Sequence, residues 1–173
     1  MFPFILTFLT YIAVFRLSFF IPQHIECHFI ASSMNISEGR WWSLILSSFT
    51  HLDIPHLLLN SYSLYQLSPG ILAEFPLIYV VAAYFLSAYI SSYVAIIMNP
   101  TIGTVGASGS IYCLDAMLIS VILRSYEVDY DEVIFDIILP LVIAEGKMWF
   151  NEDNISHWSH FSGFIVGLVL GHL

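Results

Sequence analysis

Charge is what this chain has least of. Among 173 residues there are four Lys and Arg and 13 Asp and Glu, 10% charged in all, against about 25% in soluble globular domains. So few charges cannot coat a water-facing surface, so the bilayer is the solvent this composition asks for. Bases are scarcest. A formal charge of −9 leaves no basic face for nucleic acid and no polybasic tether for anionic lipid. The two cysteines, Cys27 and Cys113, make neither a disulfide framework nor a zinc-site spacing. Cys113 lies in an apolar run and reads as a small hydrophobe. The opening stretch, "MFPFILTFLTYIAVFRLSFFIP", lacks a basic n-region and a small-residue cleavage site. It reads as a retained transmembrane helix rather than a cleaved signal. There is no internal repeat and no low-complexity tract.

What is abundant is hydrophobic residue, 58% of the chain. A bilayer core about 30 Å thick needs roughly 20 apolar residues per helix. Six runs meet that need, over about 2–22, 44–67, 75–98, 107–124, 132–149 and 158–173. Backbone inside lipid must satisfy its own hydrogen bonds, so these runs are expected to be helices. The expectation is an all-α polytopic membrane protein, one domain over residues 1–173 with six transmembrane helices. The 23–43 link carries Trp41 and Trp42, suited to a membrane interface. "SPGILAEF" and "NPTIGTVG" read as Pro/Gly turns, and "SYEVDYDEV" as an acidic loop. The bases Arg16, Arg40, Arg124 and Lys147 are too few and too dispersed to set the orientation.

Polar residues inside membrane spans are costly and mark function by default. Three clusters stand out. In "HLDIPHLLLN", His56 and Asn60 are four apart and share a helix face. In "GASGSIY", Ser108 and Tyr112 do the same, flanked by Gly106 and Gly109. In "HWSHFSGFIVGLVLG", His160, Gly163, Gly167 and Gly171 form one stripe. Each cluster alone is open to a packing reading, since small residues and buried hydrogen-bond donors also join helices. Together they supply a nucleophile, a base and donors for an oxyanion. All three lie toward ends of spans that an even number of crossings places on one side of the membrane.

These residues resemble the rhomboid family of intramembrane serine proteases. The resemblance extends from Trp42 to Gly171 and rests on H-x-x-x-N, then G-x-S-G followed by a tyrosine, then H-x-x-G-x-x-x-G, in that order. It implies Ser108 as nucleophile and His160 as general base, with His56 and Asn60 as oxyanion contributors. It implies Tyr112 as the ring packed on the catalytic histidine. Gly163 and Gly167 would form the seam between two helices, while Gly106 and Gly109 make room for the serine. It further implies transmembrane segments of other proteins as substrates, the lipid bilayer as surroundings, and no metal or cofactor. The form expected is the minimal six-helix one, closing at Leu173. One departure concerns the first loop: the family usually has Trp-Arg there, whereas Trp42 is followed by Ser43 and the nearby arginine is Arg40.

Other polar residues have plainer readings. Asp115 shares the Ser108 stripe, yet two helical turns carry it about 10 Å deeper, too far to orient His160. His51 and His157 are expected to line a polar mouth. Tyr79, Tyr84, Tyr89 and Tyr93 read as packing residues. Two rival functions remain. A catalytically silent relative that binds membrane clients would keep the fold without the chemistry. A small transporter would use Asp115, Asp136 and Glu145, while leaving the serine and histidine clusters unexplained.

Overall fold

The computed structural model describes residues 28–124 and 156–173. The apolar runs 2–22 and 132–149 lie outside the described residues, as do Cys27, Asp136 and Glu145. Among the described residues the chain is helical and no strand occurs; an isolated bridge there joins Ala31 to Thr104.

The first described segment holds two short helices. Ser32 accepts a hydrogen bond from Asn35 N–H at 3.2 Å, capping α1 (Ser33–Ser37) as serine does at helix starts. Helix α2 (Ser43–Leu46) tightens into a 3₁₀ turn over Ser47–Phe49. Ala31 and Leu44 anchor this segment by packing on Ile96.

The expected 44–67 span is corrected to α3, Ile54–Glu74. The start is set by Asp53, whose carboxylate accepts the His56 N–H at 2.7 Å, with Pro55 in the first turn where its missing N–H costs nothing. The end lies at Glu74, so that "SPGILAEF" is helix up to its last residue rather than turn. Pro69 removes the N–H that would bond Tyr65 carbonyl, and Ser68 Oγ donates to that carbonyl instead, at 2.7 Å. One side chain thus repairs the gap that the sequence suggested would break the helix.

The other boundaries match the apolar runs closely. They give α4 (Leu77–Met98), α5 (Ser108–Arg124) and α6 (His157–His172). Among the described residues, α4 is the helix both long and apolar enough to cross a membrane by length and composition. Leu57, Leu64 and Ile71 of α3 recur every seventh residue and pack on Val80 and Ala83 of α4 and Ile111, Leu114 and Met117 of α5.

Helices α5 and α6 run parallel and nearly touch. A methyl on Gly163 would overlap the carbonyl of Gly109, one on Gly167 the carbonyl of Cys113, and one on Gly171 the backbone of Met117. Steps of four on both helices keep the contact on one face. The opposite stripe of α6, Phe161, Ile165 and Val169, is exposed, as a lipid-facing surface is. Hydrogen bonds tie α4 to both helices of the seam. Tyr79 Oη donates to Leu170 carbonyl at 2.8 Å. Ser110 Oγ donates to Tyr84 carbonyl at 2.9 Å. At the far end Arg124 donates to the carbonyls of Gly171 and His172, where a helix C-terminus favours a cation.

Candidate active site

Ser108 is the first residue of α5, and His160 lies one turn into α6. The Gly109–Gly163 contact brings these two helix ends together. His160 Nε2 is 2.8 Å from Ser108 Oγ, within the reach required of a nucleophile and its base. The imidazole is buried, 7% exposed, and stacks on Tyr112 with ring centroids 4.5 Å apart and planes 10° from parallel. Tyr112 is one turn beyond Ser108, so α5 supplies both the hydroxyl and the surface that orients the ring. His157 meets His160 edge-on at 6.4 Å.

The approach to Ser108 is held from two sides. Gly106 has φ +112, a conformation that side-chain-bearing residues rarely adopt. Its N–H donates to Ser47 carbonyl at 2.9 Å. A Cβ there would also strike the His56 ring, 2.6 Å from Cε1 and 2.8 Å from Nε2. Both the turn and the close approach of the ring therefore demand glycine. Gly109 is confined in the same way by the hydroxyls of Ser91 and Ser159, and Ser87 Oγ donates to its carbonyl at 3.2 Å.

Asn60 lies on the same side of this turn. A Cβ on Gly106 would lie 3.8 Å from Asn60 Nδ2. Asn60 is 6% exposed, and its Nδ2 is buried with no hydrogen-bond partner. An unmet buried donor is costly and calls for an explanation, a catalytic role being one. The N–H of Ser108, at the first position of α5, lacks an intrahelical acceptor for the same positional reason as every helix start.

Ser108, His160, Tyr112, His56, Asn60, Gly106, Gly109 and Gly163 therefore come together at one end of the α3, α5 and α6 group, while Gly167 lies further along the seam, against Cys113. Asp115 does not join them. It lies two turns along α5 from Ser108, and the hydroxyl meets the imidazole directly. His51 departs from its expected place at a polar mouth. It is 3% exposed, in the loop before α3, with its ring edge on His56 at 4.9 Å. Burial, with His56 adding and Asp53 opposing, pushes its pKa down to about 3. The tyrosines of α4 are packing residues: Tyr84 meets Phe49, and Tyr93 meets Trp41. Among the described residues, no group of three or more His, Cys, Asp or Glu is placed to share a metal ion. What sequence reasoning missed is backbone: the Ser47 carbonyl and the Ala31–Thr104 bridge that fix the turn before Ser108. Main-chain partners leave no residue-type signal.

A buried imidazole bonded to a serine at a helix start, beside an unmet amide donor, is equipped for acyl transfer. Comparison with known proteins bears on which kind. Residues 38–173 match the Rhomboid domain family. The Bacillus subtilis protein YdcA is 29% identical over 146 residues, covering 82% of this chain and 71% of that protein. Rhomboid protease GluP of Bacillus subtilis is 30% identical over 138 residues, covering 76% of this chain and 26% of GluP. A mitochondrial rhomboid protein of Schizosaccharomyces pombe is 33% identical over 69 residues, 40% of this chain and 18% of that protein. The chain thus spans most of YdcA but only about a quarter or less of the other two.

Proposed function

From the premise that the chain belongs to the rhomboid family, and so is a multi-span integral membrane protein of a protease family, we propose that it is a serine endopeptidase. It cuts transmembrane segments of other membrane proteins through a Ser108–His160 dyad. The observation that carries this reading is the 2.8 Å contact between Ser108 Oγ and His160 Nε2. The whole of residues 1–173 acts in it as one membrane domain, with six spans.

In the proposed mechanism Ser108 donates its proton to His160 Nε2 as Oγ attacks the scissile carbonyl carbon. The developing oxyanion is met by Asn60 Nδ2, the Ser108 N–H and the His56 ring. Donors fixed in advance for that charge are the largest single source of rate in such sites. The imidazolium, steadied by the Tyr112 ring, then gives its proton to the leaving amine as the C–N bond breaks. Water next attacks the acyl-enzyme ester, losing its proton to His160, and the acid product leaves as Ser108 regains a proton. Water must therefore reach the site, and polar groups at membrane depth fit with a cavity that admits it. A substrate helix hides its scissile carbonyl in its own hydrogen bonds, so it unwinds locally before attack.

The test is cleavage of a model transmembrane substrate by protein purified in detergent. The wild type cuts it and acquires a fluorophosphonate on Ser108, while Ser108→Ala does neither. Cleavage that persists in Ser108→Ala would sink the dyad. A wild type that binds the substrate without cutting or labelling would favour the client-binding alternative.

A further inference from the structure

The loop ahead of α2 is organised around one buried side chain. Asn35 is 1% exposed. Its Oδ1 accepts from Arg40 Nε at 2.8 Å, and its Nδ2 donates to Ile30 carbonyl at 2.5 Å. Its own carbonyl accepts the Arg40 N–H at 2.8 Å. Arg40 closes the group by pairing with Glu38. The next residue after Ile30 is Ala31, fully buried, which exchanges two backbone hydrogen bonds with Thr104, at 3.1 and 2.8 Å. Gly103 is pressed so closely on Ile30 that a Cβ would lie 2.7 Å from Ile30 Cγ2. Ser33 Oγ adds a bond to Pro100 carbonyl at 2.9 Å. Thr104 is two residues from Gly106 and four from Ser108. A path of hydrogen bonds and short covalent links therefore runs from Arg40 through Asn35, Ile30, Ala31 and Thr104 to the turn that presents the serine.

We infer that Arg40 is a positioning residue: through Asn35 it fixes the Ala31–Thr104 bridge and so the placement of Ser108 Oγ against His160. This rests on the assignment of Ser108 as nucleophile. The path accounts for an arginine two residues before Trp42, because from position 40 its Nε and its own N–H both reach Asn35, as one clamp. The residue touches neither Ser108 nor His160 and acts through the bridge.

Two substitutions of equal reach separate this role from charge or bulk. Arg40→Gln places an amide nitrogen at the chain position of Nε and keeps the donor to Asn35. Arg40→Met has the same length and no donor. Both lose the Glu38 pair. The measurement is the rate at which a soluble fluorophosphonate labels Ser108 in purified protein, with thermal unfolding recorded alongside. A displacement of the nucleophile too small to unfold the protein slows attack by about tenfold or more. The expected result is labelling slowed by about that factor in Arg40→Met, near the wild-type rate in Arg40→Gln, and folded protein in both. Asn35→Asp supplies an independent arm. It still accepts from Arg40 but has no donor for Ile30 carbonyl, and it is expected to label as slowly as Arg40→Met. Wild-type rates in folded Arg40→Met or Asn35→Asp overturn the inference, as does an Arg40→Gln as slow as Arg40→Met. In either case the nucleophile assignment stands, because wild-type labelling lost in Ser108→Ala tests it separately. A wild type that does not label removes both.

Discussion

Gly163 of α6 lies against the carbonyl of Gly109 of α5 so closely that no side-chain atom fits between them. The contact sits one residue after Ser108 and three after His160. The hydrogen bond between serine and histidine is the consequence of this backbone approach. A methyl at 163 must push the helices apart, and overfilling a packed seam costs about 1–3 kcal/mol. Gly163→Ala is therefore expected to lower the unfolding temperature and to reduce cleavage by more than tenfold. Ile165→Ala, on the exposed stripe of the same helix, is the control and should leave cleavage near wild type.

Asn60 gives a prediction of opposite sign for stability and activity. Its Nδ2 is buried without a partner, and removing an unmet buried polar group is nearly neutral or stabilising. Losing one oxyanion donor costs about 10²–10³ in kcat. Asn60→Ala should unfold no earlier than wild type while kcat falls by about that factor and KM changes little. Steady-state kinetics with parallel thermal melts check both halves. An early melt would make Asn60 a structural residue.

Tyr112 stacks its ring face on His160, and in the proposed mechanism this contact orients the base. Aromatic pairs contribute about 0.5–1.5 kcal/mol beyond burial, so Tyr112→Leu should slow cleavage up to about tenfold. Tyr112→Phe restores the ring face and should recover the share that belongs to stacking. A Phe variant no better than Leu would move the role from the ring to the hydroxyl.

His51 sets an acid limb on stability. Its folded pKa, about 3, is below the 6.5 of an unperturbed imidazole, so the unfolded state binds the proton first. The stability contributed by keeping His51 neutral is fully present above pH 6.5 and is lost progressively as pH falls toward 3. His51→Phe keeps an aromatic edge toward His56 and cannot titrate. Melting temperatures from pH 7 down to pH 4 should fall less steeply in this variant than in wild type. Parallel slopes would show that other groups carry the acid sensitivity.

Much of the site was legible because helix periodicity maps spacing onto faces. The stripe from His160 to Gly171 and the Ser108/Tyr112 pair could be read as faces that must meet. The α4, α5 and α6 boundaries followed from apolar length. The α3 boundaries did not. Pro69 and Gly70 carry the local signature of a turn, and only the Ser68 hydroxyl on Tyr65 carbonyl shows why the helix continues. Its start was readable, since Asp53 before Ile54 and Pro55 is a capping pattern, but the apolar run before it drew the span too early. The Arg40 and Asn35 clamp has no periodicity at all. Apart from the Arg40–Asn35 side-chain bond, it joins residues through backbone carbonyls that any sequence would supply.

The glycine ladder of α6 also sets a problem that it cannot itself solve. Its rungs repeat every four residues, and each meets a backbone that looks much like the next. Sliding α6 along α5 by one rung, about 6 Å at 1.5 Å per residue, would again set glycine against main chain and would carry His160 out of reach of Ser108. The ladder gives proximity without a unique alignment. Alignment has to come from contacts that do not repeat: Tyr79 on Leu170 carbonyl, Arg124 on the last carbonyls of α6, and Tyr112 against His160. These act as the index marks on a sliding scale, and two of the three lie at the opposite end of the seam from the chemistry they keep in step.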